Sequence, residues 1–237
     1  MNSSFKNILI LIIIILLCVL SAILIYNNKT KPNPYELDFD QFHTKNQDEN
    51  YREIISIPFG ENNFSAFATG LSDQIMVTSD QSIFVFSSEG KLIKKTDMPF
   101  KGTIRAIHFK EPLLLATDTT LYFIEYGETP KIIHTVYFSN NSLVRCLDSD
   151  LDDSLIFVAD AGMKKIHLVG SNAEIKGEIN GKYTENDIGF VIPSPYFSVC
   201  VDKDENALWA VNPGKHKVLQ FNYCGDFISS WGQTSIK

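Results

Sequence analysis

Basic side chains are scarce. Lysine and arginine number 21 against 28 aspartates and glutamates, leaving a formal net charge of −7 over 237 residues. An acidic chain with no basic patch interleaved with aromatics disfavours a phosphate-backbone partner, so no nucleic acid is expected. Cysteine is limited to Cys18, Cys146, Cys200 and Cys224, with no C-x-x-C spacing, which removes the usual zinc and dithiol redox motifs. The five histidines, His43, His108, His134, His167 and His216, form neither an H-x-H nor an H-E-x-x-H pair. A nucleophile elbow, a phosphate-binding loop and a dinucleotide fingerprint are all missing. No catalytic, cofactor-binding or metal-ligating residue is nominated, and no cofactor is expected.

Long apolar runs are missing too, with one exception. Ile8 to Ile25 is eighteen residues without a charge, Ser21 being its clearly polar member. As a helix it spans roughly 27 Å, close to the ~30 Å hydrocarbon core of a bilayer. The expected organisation is a leader over 1–7, a transmembrane helix over 8–26, a polar linker over 27–50 stiffened by Pro32 and Pro34, and a body over 51–237. The bilayer is thus a partner through residues 8–26. Lys6 and the α-amine lean the leader to the cytoplasmic side and the body to the extracytoplasmic side. A cleaved signal peptide is the main alternative, but its apolar core usually runs about 7–15 residues and Leu20-Ser21-Ala22 is a poor exit. A lipoprotein reading fails on Leu17 before Cys18.

The body reads as all-β. Seventeen phenylalanines and nine tyrosines suit pleated surfaces. Strands are expected in fours: Phe64–Leu71, Gln74–Ser79, Ser82–Phe86 and Leu92–Met98; Thr103–Phe109, Leu113–Ala116, Leu121–Glu125 and Lys131–Phe138; Leu143–Leu147, Leu155–Ala159, Lys165–Val169 and Glu174–Ile179; Phe197–Val201, Ala207–Val211, Val218–Phe221 and Phe227–Trp231. The second strand of each unit ends at a polar turn residue: Asp80, Asp118, Asp160 and Asn212. Four short strands in ~40 residues are the unit of a propeller blade. Runs such as Ile83–Phe86 and Leu155–Val158 are apolar on both sides, which a blade buried between neighbours requires and a sandwich does not.

Residues 197–232 resemble a blade of the NHL-repeat family: Asn212-Pro213-Gly214-Lys215-His216-Lys217-Val218 follows that family's corner motif, and Gly225 to Gly232 its closing strand with Trp231-Gly232. Asp160 to Ile166 keeps the Asp, the Gly and the final basic-Ile pair. The resemblance implies a β-propeller, commonly of six blades, which needs roughly 240 residues at ~40 each. Only 187 follow residue 50. The expectation is therefore four NHL-like blades in a partial or open arc. A truncated relative and a four-bladed ring closed by Tyr51–Pro58 are the alternatives.

Several polar groups invite chemistry. Asp148-Ser-Asp150-Leu-Asp152 and Asp202-Lys-Asp204-Glu-Asn206 have oxygens at alternate positions, as calcium loops do, but lack the EF-hand glycine and glutamate; hairpin turn chemistry explains them better. Cys146 and Cys200 occupy matching places on successive first strands, and His108 is the histidine on an innermost strand. The expected function is binding or scaffolding, of a protein or a small ligand, by a single-pass membrane protein with an extracytoplasmic propeller. An enzyme of lactonase or amidating-lyase type is the second reading, and a remnant of a longer propeller the third.

Overall fold

The computed structural model describes residues 56–57, 59–60, 63–70, 73–150, 154–183 and 187–232. The segment 8–26, the linker 27–50 and most of the strand expected over 51–58 lie outside the described residues. Among the described residues no helix is long and apolar enough to cross a membrane.

Among the described residues sixteen strands form four antiparallel four-stranded sheets, each a meander of consecutive strands. Blade 1 is β1 (Phe64–Thr69), β2 (Ile75–Ser79), β3 (Ser82–Phe86) and β4 (Leu92–Asp97). Blade 2 is β5 (Ala106–His108), β6 (Leu113–Ala116), β7 (Thr120–Glu125) and β8 (Lys131–Tyr137). Blade 3 is β9 (Val144–Ser149), β10 (Leu155–Asp160), β11 (Lys165–Gly170) and β12 (Ile175–Ile179). Blade 4 is β13 (Val199–Asp202), β14 (Ala207–Asn212), β15 (Lys217–Asn222) and β16 (Phe227–Trp231). The expected strands match to within three residues at each end.

The repeat is legible in backbone detail. Every blade carries a register shift between its third and fourth strands, at Val85/Phe86, Phe123/Ile124, Leu168/Val169 and Gln220/Phe221. Such a bulge increases local twist. The turns leading into β4, β12 and β16 close with the same bond, Ser87 N–H to Lys91 O (2.9 Å), Gly170 N–H to Glu174 O (2.8 Å) and Asn222 N–H to Asp226 O (2.9 Å). The corners between second and third strands differ. Asp80, at φ 51°, sits in the two-residue loop between Ser79 and Ser82, whereas four residues separate Asp160 from Lys165 and Asn212 from Lys217. Asp160 and Asn212 are thus the buried last residues of their strands, whereas Asp80 lies one place and Asp118 two places beyond theirs.

The first strands are innermost and pack in series, β1 on β5, β5 on β9 and β9 on β13. Blades bury their faces pairwise: Met76, Ile83 and Val85 against Ile107, Leu115 and Ile124; Leu114, Leu121 and Phe123 against Leu147, Ile156 and Val158; Phe157, Ile166 and Leu168 against Leu208, Leu219 and Phe221. Among the described residues no fourth core joins blade 4 to blade 1. The outer face of blade 1 is partly covered by its own chain, Phe59 lying edge-on to Phe84 (5.0 Å) and Phe86 (6.3 Å). Among the described residues the outer face of blade 4 has no such cover. There Trp209, Val211, Val218 and Trp231 stand where blade 3 has the buried Phe157, Ala159, Ile166 and Ile179. Trp209 and Trp231 stack on each other at 4.3 Å.

Candidate functional site

Two groups of polar side chains are built by this architecture. The first lies on the innermost strands. Residues paired across a ladder share a face, so His108 (opposite Leu114), Asp148 (opposite Phe157) and Cys200 (opposite Trp209) project the same way from β5, β9 and β13. His108 Nε2 is 2.9 Å from Ser149 Oγ, and its Nδ1 is 3.6 Å from Asp148 Oδ1. Asp148 Oδ2 accepts the Val201 N–H at 2.7 Å, tying β9 to β13. Cys146 donates its thiol to Val199 O at 3.4 Å, and burial pushes that thiol up from its ordinary value.

The order Asp148, His108, Ser149 repeats the connectivity of a hydrolytic triad, but Ser149 is 0 % exposed, so its hydroxyl is out of reach of a substrate. These groups act as ties between blades. Among the described residues no three His, Cys, Asp or Glu side chains converge to hold a metal ion.

Two sequence expectations change here. Asp148 is not a turn residue: it lies within β9 and bonds to the neighbouring blade, while Asp150 and Asp202 do serve turns, accepting from Ser154 Oγ and Leu155 N–H and from Asp204 and Glu205 N–H. Cys146 and Cys200 are not matched. Cys146 pairs with Ala159, one residue before the corner Asp160, and Cys200 pairs with Trp209, three before Asn212; the blade equivalent of Cys200 is Asp148. Cys146, Cys200 and Cys224 are free thiols.

The second group is at the corners. Asp160 is fully buried, and its Oδ1 accepts the N–H groups of Leu143 (2.9 Å) and Met163 (3.0 Å) while His167 Nε2 lies 3.1 Å from Oδ2. Burial alone pushes this carboxyl up; its hydrogen bonds, that of His167 foremost, outweigh burial and hold it at about 2. Gly162 lets the corner close, since a Cβ there would strike the Asn141 carbonyl oxygen. Asn212 does the same work in blade 4, its Oδ1 accepting the Val191 N–H at 2.9 Å. Lys215 pairs with Asp187, and Gly214 N–H bonds to Val191 O at 2.8 Å. In blade 2, Asp118 takes Arg145 Nη1 (2.5 Å) and Arg105 Nε (3.3 Å).

These corners hold loops rigidly and turn apolar side chains outward. Leu143 and Met163, 38 % and 37 % exposed, flank the Asp160 knuckle; Ile188 and Tyr196, 76 % and 79 % exposed, ride on the loop pinned by Asn212. The sequence marks Asp160 and Asn212 as strand ends but gives no sign that their side chains organise the neighbouring loop. A cleft of about 450 Å³ on blade 2, lined by Phe109, Lys110, Glu111, Pro112, Tyr126 and Ile133, opens at the other end of the blades and holds no histidine or cysteine.

Four meandering, serially packed four-stranded sheets define a β-propeller-like fold. No protein-family model matches the sequence, and no curated relative matches it. Solved structures share the fold. A protein of unknown function from Bacteroides caccae superposes with a TM-score of 0.54 at 9% identity over 76% of this chain and 64% of that one. The Neurospora crassa Pan2 WD40 domain gives 0.53 at 13% identity over 72% and 50%. Kuenenia stuttgartiensis hydrazine synthase gives 0.55 at 11% over 76% and 52%. The chain therefore spans between half and about two thirds of the length of these structures.

Proposed function

We propose that this protein is a single-pass membrane protein whose extracytoplasmic, NHL-like propeller body serves as a binding platform. The anchor is the uncharged run Ile8–Ile25, and the NHL character rests on the Asp160 and Asn212 corners and on Trp231-Gly232. The observation that carries the binding role is the contrast between the two polar groups. The inner-strand ties are satisfied by one another and bury Ser149. The corners spend buried hydrogen bonds on presenting Leu143, Met163, Ile188 and Tyr196 to solvent. Burying polar groups is costly unless each is partnered, and here the partners are the loops that carry exposed apolar side chains. Surfaces of that kind mark interaction sites.

The test is topology by labelling. In intact cells a membrane-impermeant maleimide is expected to react with Cys224, an exposed thiol in the β15–β16 turn, without permeabilisation, and the chain to resist carbonate extraction. Labelling only after permeabilisation places the body on the cytoplasmic side and refutes the extracytoplasmic reading; release by carbonate refutes the anchor.

A further inference from the structure

We infer that the rim carrying the Asp160 and Asn212 corners docks on an anionic phospholipid surface, an inference that rests on the membrane-anchored reading and names the partner of its binding platform. Consecutive antiparallel strands put the second-to-third turns and the blade-to-blade connections on one rim, and the first-to-second and third-to-fourth turns on the other. The two rims differ in charge. The second bears Glu111, Asp150, Asp202, Asp204, Glu205 and Asp226, against the exposed Lys91 and Lys203. The first bears Lys101, Lys164, Lys182 and His216, all exposed.

Acidic groups on the first rim are engaged: Asp118 with Arg105 and Arg145, Asp187 with Lys215, Asp160 with its loop amides, Asp97 with Ser82 Oγ and Asp80 with Asn63 Nδ2. Asp80, Asp97 and Asp160 are bonded to neutral donors and keep their charge, so the first rim is close to balanced, with Lys101, Lys164 and Lys182 outside its ion pairs, while the second rim carries the excess of carboxylates in a chain of net charge −7. An anionic surface attracts the first rim and repels the second, which orients the body as well as holding it.

The apolar complement matches the same occupant. Tyr137, Leu143, Met163, Ile188, Tyr196 and Trp231 are all exposed at or next to the lysine rim. Tyrosine and tryptophan favour the headgroup level of a bilayer, where an apolar ring and a polar edge are both accommodated, and lysine snorkels to phosphate. The other rim has exposed aliphatics, Leu92, Ile132 and Ile175 among them, but no exposed tyrosine or tryptophan among the described residues.

The experiment compares the full chain in nanodiscs of phosphatidylcholine alone and of phosphatidylcholine with phosphatidylglycerol, read by amide hydrogen exchange. Residues 139–143, 161–164 and 187–196 are expected to exchange at least about tenfold more slowly on the anionic discs, with 202–206 and 222–226 unchanged. The triple variant Lys101→Gln, Lys164→Gln, Lys182→Gln is expected to lose that protection, docking weakening about fivefold per lysine, while its thermal transition stays in place. Lys91→Gln with Lys203→Gln, on the opposite rim, is expected to keep it. Equal exchange on the two lipids, protection of the acidic rim, or protection that survives the triple variant overturns the docking proposal while leaving an anchored chain anchored. If carbonate releases the chain, the anchor fails separately. Flotation with phosphatidylglycerol vesicles at low salt then decides docking: lysine-dependent flotation upholds it, and none overturns it.

Discussion

Replacing Asp160 tests whether the corner is built as described. In Asp160→Ala three groups lose their acceptor at once, the N–H of Leu143, the N–H of Met163 and the His167 ring, in a place where Asp160 itself is 0 % exposed. Each buried donor left unsatisfied costs about 1–3 kcal/mol. Some water will enter the vacated corner, so we expect a total near 3–5 kcal/mol. That is a large share of the ~5–15 kcal/mol that holds a typical domain together. Asp160→Asn is the informative partner. Blade 4 already uses Asn212 at this place, with Oδ1 receiving a loop amide. An asparagine at 160 keeps Oδ1 as the acceptor for both amides but loses the charge and sets an NH2 donor where Oδ2 faces His167, at about 1–2 kcal/mol.

Acid separates the two further. The Asp160 carboxyl sits at about 2 when folded against 3.8 ordinarily. A depressed carboxyl contributes its full stabilisation above the unfolded value and loses it as the proton binds, so the wild type weakens between about pH 4 and pH 2, by ~2 kcal/mol. The asparagine variant lacks this component. Urea denaturation of the full chain in detergent, followed by tryptophan emission at several pH values, reads both effects. If the asparagine variant is as damaged as the alanine variant, or if alanine costs under about 1 kcal/mol, the account of the corner is wrong.

Three further outcomes are expected. Phe157→Ala, in the core between blades 3 and 4, costs about 3–5 kcal/mol, and Trp209→Ala, at the same blade position on the uncovered face, costs visibly less in the same urea titration despite the larger side chain. Under native conditions near neutral pH a thiol reagent modifies exposed Cys224 and Cys200 and spares Cys146 until the chain is unfolded; mass spectrometry of the labelled peptides distinguishes them, and rapid labelling of Cys146 contradicts the packing of β9 on β13. Gly162→Ala pushes the 161–164 corner off the Asn141 carbonyl and is expected to destabilise by about 2 kcal/mol or more, with faster amide exchange at Leu143 and Met163 than elsewhere in blade 3.

Most of the blade pattern was legible because it depends on local rules. Period-two runs and Asp, Asn, Gly and Pro punctuation place sixteen strands, and the apolar character of both faces in β3 and β10 distinguishes blades from a sandwich. What was not legible depends on register. Cys146 and Cys200 look equivalent by distance along the chain, yet ladder pairing puts Cys200 level with Asp148. The same ambiguity hid Asp148 as a cross-blade tie, since its neighbourhood reads as a turn. The four polar corners looked alike too, but loop length divides them into two kinds, and only Asp160 and Asn212 bury their side chains under the next loop. The rim's charge asymmetry is invisible in a net charge of −7, because it emerges only when alternate turns are sorted to opposite ends of the blades.

The serial packing of the blades sets how the body comes apart. Each of the three cores is shared by one pair of neighbours, so among the described residues blades 2 and 3 are held on two sides and blades 1 and 4 on one. Stability in such a row is a sum of nearest-neighbour terms. Pulled between Phe64 and Trp231, the body yields by peeling from its end blades, with Phe227–Trp231 and the rest of blade 4 leaving before the Phe123–Val158 core is disturbed. Mechanical load across the body would therefore remove the Asn212-pinned loop and leave the Asp160 knuckle standing.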